Sequence, residues 1–179
     1  MNFLDLVRRR QSDRKYAPRA VPRELIDRCL EAARLAPSAC NSQPWSFIVV
    51  DTDAARRTFA EAAFSGLYAM NAFAREAPVF IVAVTERSKY VARLGGQFRG
   101  VQYSLVDIGI ACEHLCLQAA EEGLGTCWLG WFNEKGVKQA LGLPRDAKVD
   151  IIISMGYPAE DGVREKQRKT LDEIRRYKE

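Results

Sequence analysis

The apolar positions of this chain follow two different periods. In residues 21–37 apolar side chains recur every three or four positions, which predicts a helix that starts at Val21-Pro22 and ends at Pro37. Residues 77–85 show no polar alternation and residues 149–155 are mostly apolar, which predicts strands covered on both faces, the first at the centre of a sheet. Related patterns predict helices at 2–10, 101–123 and 133–141 and one that starts at residue 53, with further strands at 46–51 and 126–132.

The helix predicted at 101–123 is apolar around most of its circumference. One apolar stripe consists of Leu105, Ile108, Cys112, Leu115, Cys116 and Ala119, and a second consists of Val106, Ile110, Leu117 and Ala120. Because a chain of this size has little else to cover the second stripe, we expect an identical subunit to cover it, in a homodimer built partly on this helix. His114, on the same helix, is more typical of a core or interface histidine than of a catalyst.

Residues 36–45, A-P-S-A-C-N-S-Q-P-W, connect a predicted helix to a predicted strand. Pro37 ends the helix and Pro44 stiffens the exit, so Ser38, Asn41 and Gln43 lie on a segment that cannot be regular. Hydroxyl and carboxamide groups on a rigid loop suit the edge of a planar, hydrogen-bonding ligand better than catalysis, because none of them titrates near neutral pH. Taken alone, however, the segment fits a helix end and turn whose side chains cap backbone groups better than it fits a ligand site.

Length and composition predict a single domain over residues 1–179. Of the 179 residues 47% are apolar, which is ample for a core. The apolar runs are far shorter than a membrane span and the N-terminus lacks the order of a signal peptide, so we expect a cytoplasmic protein with no membrane partner. Five cysteines in apolar contexts indicate reduced thiols. Cys112, Cys116 and the single histidine are not spaced as metal ligands, so we expect no metal.

Positive charge is concentrated at the two ends of the chain, which has a net charge of +4. Near the N-terminus Arg10, Ser12 and Arg14 alternate, so in an extended segment two guanidinium groups and a hydroxyl would point the same way, as suits a phosphate. The basic ends could be solvated faces, a nucleic-acid surface, or two halves of one anion site. A nucleic-acid partner is not expected, because no aromatic residues interleave with the basic ones and no nucleic-acid-binding motif is recognisable.

Two further segments could line a pocket. Residues 64–73 include Phe64, Tyr68 and Phe73, which fit either core packing or a pocket wall. Gly130 lies between bulky neighbours and would let a flat group approach the backbone closely. Residues 86–100, which include Phe98, are predicted to be an irregular excursion that could carry specificity.

Six segments, taken together and in this order, resemble the nitroreductase family of FMN-dependent oxidoreductases. They are R-Q-S-D-R-K-Y at 10–16, A-P-S-A-C-N-S-Q-P-W at 36–45, Asn71 ahead of A-P-V-F-I-V-A-V at 77–84, G-L-G-T-C-W-L-G at 123–130, M-G-Y-P at 155–158 and K-Q-R-K-T-L-D-E-I at 166–174. Each segment alone is weak evidence, but the set spans nearly the whole chain. The resemblance implies an α+β fold with a mixed central sheet flanked by helices. It also implies an intertwined homodimer around the long helix, with two FMN sites at the subunit interface.

The resemblance also assigns cofactor-binding residues by matching position. They are Arg10, Gln11, Ser12, Arg14, Pro37, Ser38, Asn41, Gln43, Asn71, Leu129, Gly130, Lys166 and Arg168. Arg10, Lys166 and Arg168 would bind the phosphate, which makes the two basic ends one site, and the loop residues would cover the ring or ribityl chain of the partner's flavin. Asn71 would bond to the ring or ribityl chain, and the backbone at Leu129 and Gly130 would approach flavin N5.

One position departs from the family pattern. Some members carry a lysine shortly after the residue that matches Asn71, whereas alanine and phenylalanine follow it here. Arg14 is therefore the main candidate for the N1–C2 carbonyl edge of the ring, where a cation would stabilise a reduced flavin. Cys40 lies in the matching loop, but nothing in the sequence assigns it a catalytic role.

The activity implied by the resemblance is ping-pong hydride transfer from NADH or NADPH, through flavin N5, to nitroaromatic, quinone or related acceptors. No side chain is required as the catalytic group, because the flavin carries the chemistry. A strand followed by G-x-G-x-x-G is absent from the sequence, which fits a nicotinamide donor that visits the flavin face. The alternatives are a specialised flavoenzyme of the same fold, such as a reductive dehalogenase or a flavin-fragmenting enzyme, and a flavin-binding protein without catalysis.

Overall fold

A four-stranded sheet forms the centre of the molecule in the computed structural model, which describes residues 2–86 and 100–178. The strands are β1 (Trp45–Val50), β2 (Val79–Thr85), β3 (Gly125–Leu129) and β4 (Lys148–Gly156), and they lie in the order β1-β2-β4-β3. Each neighbouring pair is antiparallel. Among the described residues, parallel pairing is limited to an isolated bridge from Ser12, which lies outside the four strands, to Thr126, so the four strands themselves form an antiparallel sheet.

Six helices accompany the sheet in the described part of the chain. They are α1 (Phe3–Arg9), α2 (Arg23–Arg34), α3 (Asp53–Ala63), α4 (Tyr103–Glu121), α5 (Glu134–Ala140) and α6 (Leu171–Ile174), with two 3₁₀ segments at Ala39–Asn41 and Gly66–Glu76. Each helix predicted at the sequence level is present. Asn133 caps α5 as its position suggests, because its side chain accepts a hydrogen bond from the Gly136 N–H.

Successive residues of β2 face two separate hydrophobic cores. Val79 and Ile81 pack in the core beneath α2 and α4, whereas Phe80 and Val82 pack in the core beneath α3 and α5. Side chains alternate between the faces of a sheet, so a strand covered on both faces needs apolar residues at every position. The prediction of a doubly covered inner strand at 77–85 is confirmed, and the α+β arrangement with helices flanking the sheet is present.

The first stripe of α4 is buried within the subunit for most of its length. Its exception is Leu105, which is 47% exposed, and next to it Val106 of the second stripe is 52% exposed. An exposed apolar patch at the start of a long helix is consistent with a subunit interface. The structure describes a single chain, and the homodimer stays a prediction. His114 lies with Nδ1 3.3 Å from the Ala32 carbonyl oxygen of α2, in agreement with a packing role.

The strand predicted at 126–132 ends earlier, at Leu129. The chain leaves the sheet here because Trp131 turns to donate its indole N–H to the Leu67 carbonyl, and because the Asn133 N–H bonds to the Ala63 carbonyl.

Over the described ranges the cysteines are free thiols. The acidic, histidine and cysteine side chains of these ranges form no cluster able to hold a metal, and none of their helices is long and apolar enough to cross a membrane. The excursion predicted at 86–100 falls almost entirely outside the described residues.

Candidate functional site

The extended segment that follows α1 lies along the outer edge of β3. The Asp13 N–H donates to the Thr126 carbonyl over 2.9 Å, and the Ala17 N–H donates to the Tyr157 carbonyl over 2.8 Å. The Tyr16 hydroxyl bonds to the Asp13 carbonyl and to Ser154 Oγ, both at 2.8 Å. Burial of this phenol raises its pKa, so it stays neutral and serves as a clamp. These bonds fix the backbone on which the predicted phosphate ligands stand.

Lys166 meets Arg10 at the end of α1, and Arg168 is near enough for its charge to act on Lys166; we call these three residues the terminal basic cluster. Lys166 Nζ donates to the carbonyl oxygens of Val7, at 2.7 Å, and Arg10, although Lys166 is 156 residues from Arg10 in the sequence. The Arg10 side chain is 18% exposed, and its Nε lies 3.4 Å from Glu113 Oε1. Burial, followed by the positive charges of Arg10 and Arg168, holds the pKa of Lys166 below its ordinary value.

Gln11 and Ser12 connect this cluster to the C-terminal segment through their own hydrogen bonds. Gln11 Oε1 accepts from the Arg164 N–H at 3.0 Å, and its Nε2 donates to Asp13 Oδ1 at 3.0 Å. The Arg164 guanidinium also donates to the Ser12 carbonyl. Burial raises the pKa of Asp13, against the opposing effects of Arg164 and the Gln11 hydrogen bond. Gln11 therefore holds the two ends of the chain together, and its contact with the cofactor stays a prediction.

A second group of predicted residues lies where β3 ends. Leu129 is buried and Gly130, next to it, is exposed. Asn71 Nδ2 donates to the Trp131 carbonyl over 2.9 Å, and the rings of Tyr68 and Trp131 are 5.3 Å apart. Hydrogen bonds thus join the 3₁₀ segment Gly66–Glu76 to Trp131, the residue directly after Gly130, and Asn71 and Gly130 lie on one surface.

Arg14 approaches the 3₁₀ segment that carries Asn71. Its guanidinium carbon is 5.9 Å from the centre of the Phe73 ring, within reach of a cation–π contact. Its positive charge also acts on Cys127 of β3, whose pKa burial nevertheless raises. Of the candidate pocket aromatics, Phe64 is fully buried against Phe59 and Phe80 and belongs to the core, and Phe98 lies outside the described residues.

The loop at 36–45 forms a third group that is held by α4. Asp107, which is 4% exposed, accepts a hydrogen bond from the Ala39 N–H at 3.1 Å and one from Ser42 Oγ at 3.5 Å. The Gln43 N–H donates to Ser38 Oγ at 2.9 Å. The polar contacts of the loop therefore run within it, to α4 and, through the Pro44 carbonyl, to the Glu86 N–H, whereas the terminal basic cluster contacts Glu113 and the end of α1. Within residues 2–86 and 100–178, no hydrogen bond or ion pair joins this loop to the cluster in one subunit.

Sequence reasoning missed three acidic residues that organise these groups. Asp13 ties Gln11 to Arg164, Glu113 neutralises part of the charge of Arg10, and Asp107 anchors the loop. A signal existed for Asp107, which is the one charged residue among the ten from Tyr103 to Cys112. A carboxylate in an apolar stretch of helix is either exposed or bonded to a specific partner.

Comparison with known proteins identifies the fold and the family. A model of the Nitroreductase family matches residues 7–157. This chain belongs to the nitroreductase family. It is 32% identical over 180 residues to the NADH dehydrogenase of Thermus thermophilus, a match that covers 86% of this chain and 85% of that protein. The family is one of oxidoreductases, so the chain is an enzyme of that class.

Solved structures of other nitroreductases superpose on nearly the whole chain. A nitroreductase family protein of Clostridium difficile 630 matches with a TM-score of 0.80 and 29% identity, over 99% of this chain and 98% of that one. An FMN-dependent nitroreductase of Clostridium difficile R20291 matches with a TM-score of 0.77 and 26% identity, over 98% of each chain. These matches confirm the predicted nitroreductase fold.

Iodotyrosine deiodinases are also similar to this chain. Iodotyrosine deiodinase 1 of Mus musculus is 26% identical over 195 residues, which covers 96% of this chain and 68% of that protein. Deiodinases are therefore among the relatives of this chain, which bears on the dehalogenase alternative.

Proposed function

We propose that this nitroreductase uses FMN to pass hydride from NADH or NADPH to nitroaromatic, quinone or related acceptors. The proposal draws on the similarity to an FMN-dependent nitroreductase and to an NADH dehydrogenase. If FMN is the cofactor, the predicted site residues must bind its phosphate at one end of the site and its planar ring at the other.

The observation that carries the proposal is the excess positive charge of the terminal basic cluster. Glu113 acts to raise the pKa of Lys166, but burial and the charges of Arg10 and Arg168 outweigh it and lower that pKa. Cations held close together raise each other's free energy, and an anion bound among them relieves the repulsion. A phosphate, with its charge and acceptor oxygens, suits this donor set.

Within this proposal the residues divide the ligand between them. Arg10 and Arg168 bind the phosphate, and Lys166 supports them by holding the end of α1. Ser12 and Gln11 shape the segment that leads from the phosphate to the ring. Pro37, Ser38, Asn41 and Gln43 come from the second subunit of a homodimer, because no hydrogen bond or ion pair joins this loop to the cluster in the described part of one subunit.

The ring end of the site combines close backbone approach with a cation. Gly130 and the end of Leu129 offer backbone N–H groups without a bulky side chain at the exposed position, and Asn71 fixes the surface beside them. Arg14 stabilises negative charge at the N1–C2 carbonyl edge. When bound, FMN accepts and donates hydride at N5. The residues of the chain bind and orient it, and no side chain is assigned as acid or base.

The test is the visible absorbance spectrum of the purified protein, followed by anaerobic addition of NADH or NADPH. We expect a flavin spectrum that bleaches with a reduced nicotinamide and returns when a quinone or nitroaromatic is added. Flavin that stays oxidised with both donors would contradict the reductase activity. Failure to bind added FMN would contradict the cofactor assignment. A cytoplasmic location also stays a prediction from the sequence.

Reductive dehalogenation is the second candidate, and the similarity to iodotyrosine deiodinase 1 favours it. It is separated from the first by the acceptor alone. The reduced protein would be mixed with iodotyrosine or with a quinone under the same anaerobic conditions. Faster reoxidation by iodotyrosine, with release of iodide, would replace the first candidate by the second.

A further inference from the structure

The loop at 36–45 adopts a backbone that its residue types do not favour. Cys40, Asn41 and Gln43 have φ values of 53°, 51° and 44°. This is the left-handed region, which residues with a side chain seldom occupy because Cβ crowds the backbone. Three such residues within four positions persist when their surroundings hold them. Contacts around the loop must therefore supply the restraint.

Asp107 restrains the strained turn from outside the loop. It lies in the second turn of α4, 68 residues away from Ala39, whose N–H it accepts at 3.1 Å. Its other carboxylate oxygen is 3.5 Å from Ser42 Oγ. One buried carboxylate thus spans both ends of the strained turn, on either side of Cys40 and Asn41.

The same arrangement turns the polar groups of the loop outward. Ser38 Oγ accepts the Gln43 N–H, which closes the turn on the inside. Gln43 Nε2 donates to Asn41 Oδ1 at 3.1 Å and to the Asn41 carbonyl at 3.2 Å, so the two carboxamides form one unit, and both residues are exposed. The outward carboxamides depend on the backbone shape that Asp107 holds from beneath.

We propose that Asp107 is a positioning residue for cofactor binding, which holds the 36–45 loop in the shape that presents Asn41 and Gln43 to FMN. The inference rests on the proposed function above. In the proposed role, Asp107 itself does not contact the cofactor. Its effect on binding is transmitted through the Ala39 N–H and the Ser42 hydroxyl.

A purely structural role for Asp107 predicts something different. A carboxylate near the start of a helix can stabilise the helix through its dipole, whatever the loop does. In that case replacement would destabilise the protein but leave the contribution of Asn41 and Gln43 to binding intact. In the positioning role, the effects of Asp107 and of the loop carboxamides on FMN affinity are coupled. In the purely structural role, they are independent.

The first experiment compares Asp107→Leu with the near-isosteric Asp107→Asn. FMN is titrated into each apoprotein, and the dissociation constant is read from flavin fluorescence, with the circular dichroism spectrum as a check of folding. We expect Asp107→Leu to raise the dissociation constant about tenfold. Asp107→Asn keeps an oxygen for the Ala39 N–H and should stay within about threefold of the wild type.

The decisive experiment repeats Asp107→Leu in a protein that already carries Asn41→Ala and Gln43→Ala. If Asp107 acts through these carboxamides, the added substitution should weaken FMN binding by less than about twofold in that background. A full tenfold loss there would show that Asp107 acts independently of them, and would overturn the proposal.

Ala39→Pro provides a variant that leaves α4 untouched. It removes the N–H that Asp107 accepts, and the extended Ser38 backbone, at φ −144° and ψ 154°, suits the residue before a proline. We expect about the same tenfold loss, and this variant decides if Asp107→Leu does not fold. Wild-type affinity in Ala39→Pro would overturn the inference alone, whereas a wild type that binds no FMN would overturn the proposed function with it.

Discussion

The 36–45 loop and the terminal basic cluster contribute to the same proposed site in opposite ways. The loop carries no charge, and most of its bonds join residues within five positions of each other. The cluster consists of like charges drawn from opposite ends of the chain, and Lys166 bonds across 156 residues to the Arg10 carbonyl. Strain in the loop is held by hydrogen bonds, whereas repulsion in the cluster is relieved by a ligand.

This difference separates shape from charge as sources of binding. The loop is organised before any ligand arrives, because its internal bonds and Asp107 already restrain it. The cluster gains from a bound anion, because the pKa of Lys166 is depressed by its cationic neighbours as well as by burial. Substitutions in the cluster should therefore act on the phosphate alone, and substitutions in the loop should act on any flavin.

The largest expected effect comes from Arg10→Ala combined with Arg168→Ala. Two charge-assisted hydrogen bonds to the phosphate are lost, each worth about 1.5–3 kcal/mol, so FMN should bind at least about 100-fold more weakly. Riboflavin, which has the ring but no phosphate, should bind the variant and the wild type equally within about threefold. Both dissociation constants are measured by fluorescence titration of the apoproteins.

The matched control for this variant is Arg8→Ala. Arg8 is two residues before Arg10 of the cluster, but its side chain is 71% exposed and pairs with Asp5 at 3.0 Å. It should leave FMN affinity unchanged. An equal loss of riboflavin and FMN in the double variant would mean that the arginines shape the site as a whole, and the contrast between charge and shape would be wrong.

An intermediate effect is expected from Gly125→Ala at the start of β3. A Cβ atom there would lie 2.6 Å from Asp13 Oδ2 and 2.8 Å from Asp13 Cβ, so the segment that carries Arg10 has to shift. Overpacking of this kind costs about 1–3 kcal/mol. The midpoint of urea unfolding should fall, and FMN affinity should fall with it.

Gly136→Ala is the control that separates the loss of FMN affinity from the loss of stability. Its Cβ would lie 2.5 Å from the Ala62 carbonyl oxygen, a clash of similar severity between α5 and α3. Stability should fall by a similar amount, while FMN affinity of the folded protein stays within about twofold of the wild type. Equal losses of affinity in the two variants would indicate a general response to destabilisation, without any particular link between Gly125 and the cluster.

The smallest expected effect is a dependence of FMN affinity on pH above neutrality. Burial, with the charges of Arg10 and Arg168, lowers the pKa of Lys166 from its ordinary 10.5, and a bound phosphate would raise it again. Binding then takes up protons between these two pKa values, so affinity should fall as pH rises through the lowered one. The change should be a few-fold and should be absent with riboflavin.

The same pKa shift has a defined sign for the stability of the apoprotein. Between the lowered folded pKa and the ordinary 10.5, the unfolded chain binds more protons than the folded one, so the contribution of Lys166 to stability rises with pH. Arg168→Ala should move this window upward and narrow it. A pH profile of urea unfolding that is identical in Arg168→Ala and the wild type would remove Arg168 from the cluster.

Periodicity was sufficient for most of the fold. The lack of polar alternation at 77–85 predicted an inner strand, and β2 packs against cores on both faces because every one of its side chains needs cover. The strand predicted at 126–132 was too long, since Gly130 and Trp131 read as strand residues and the reason they leave the sheet is a bond to Leu67, 64 positions away. Local patterns do not contain such a partner.

The sequence by itself determined the elements and the chemical types available for the site, because apolar spacing, prolines and the distribution of charge act over a few residues. Tertiary structure decided which of them meet. It placed Lys166 on the carbonyl of Arg10 and the carboxylate of Asp107 beneath the 36–45 loop, 156 and 68 residues apart in the two cases. These contacts follow from the packing of α1 on α4 and of the loop on the start of α4, which no local pattern specifies.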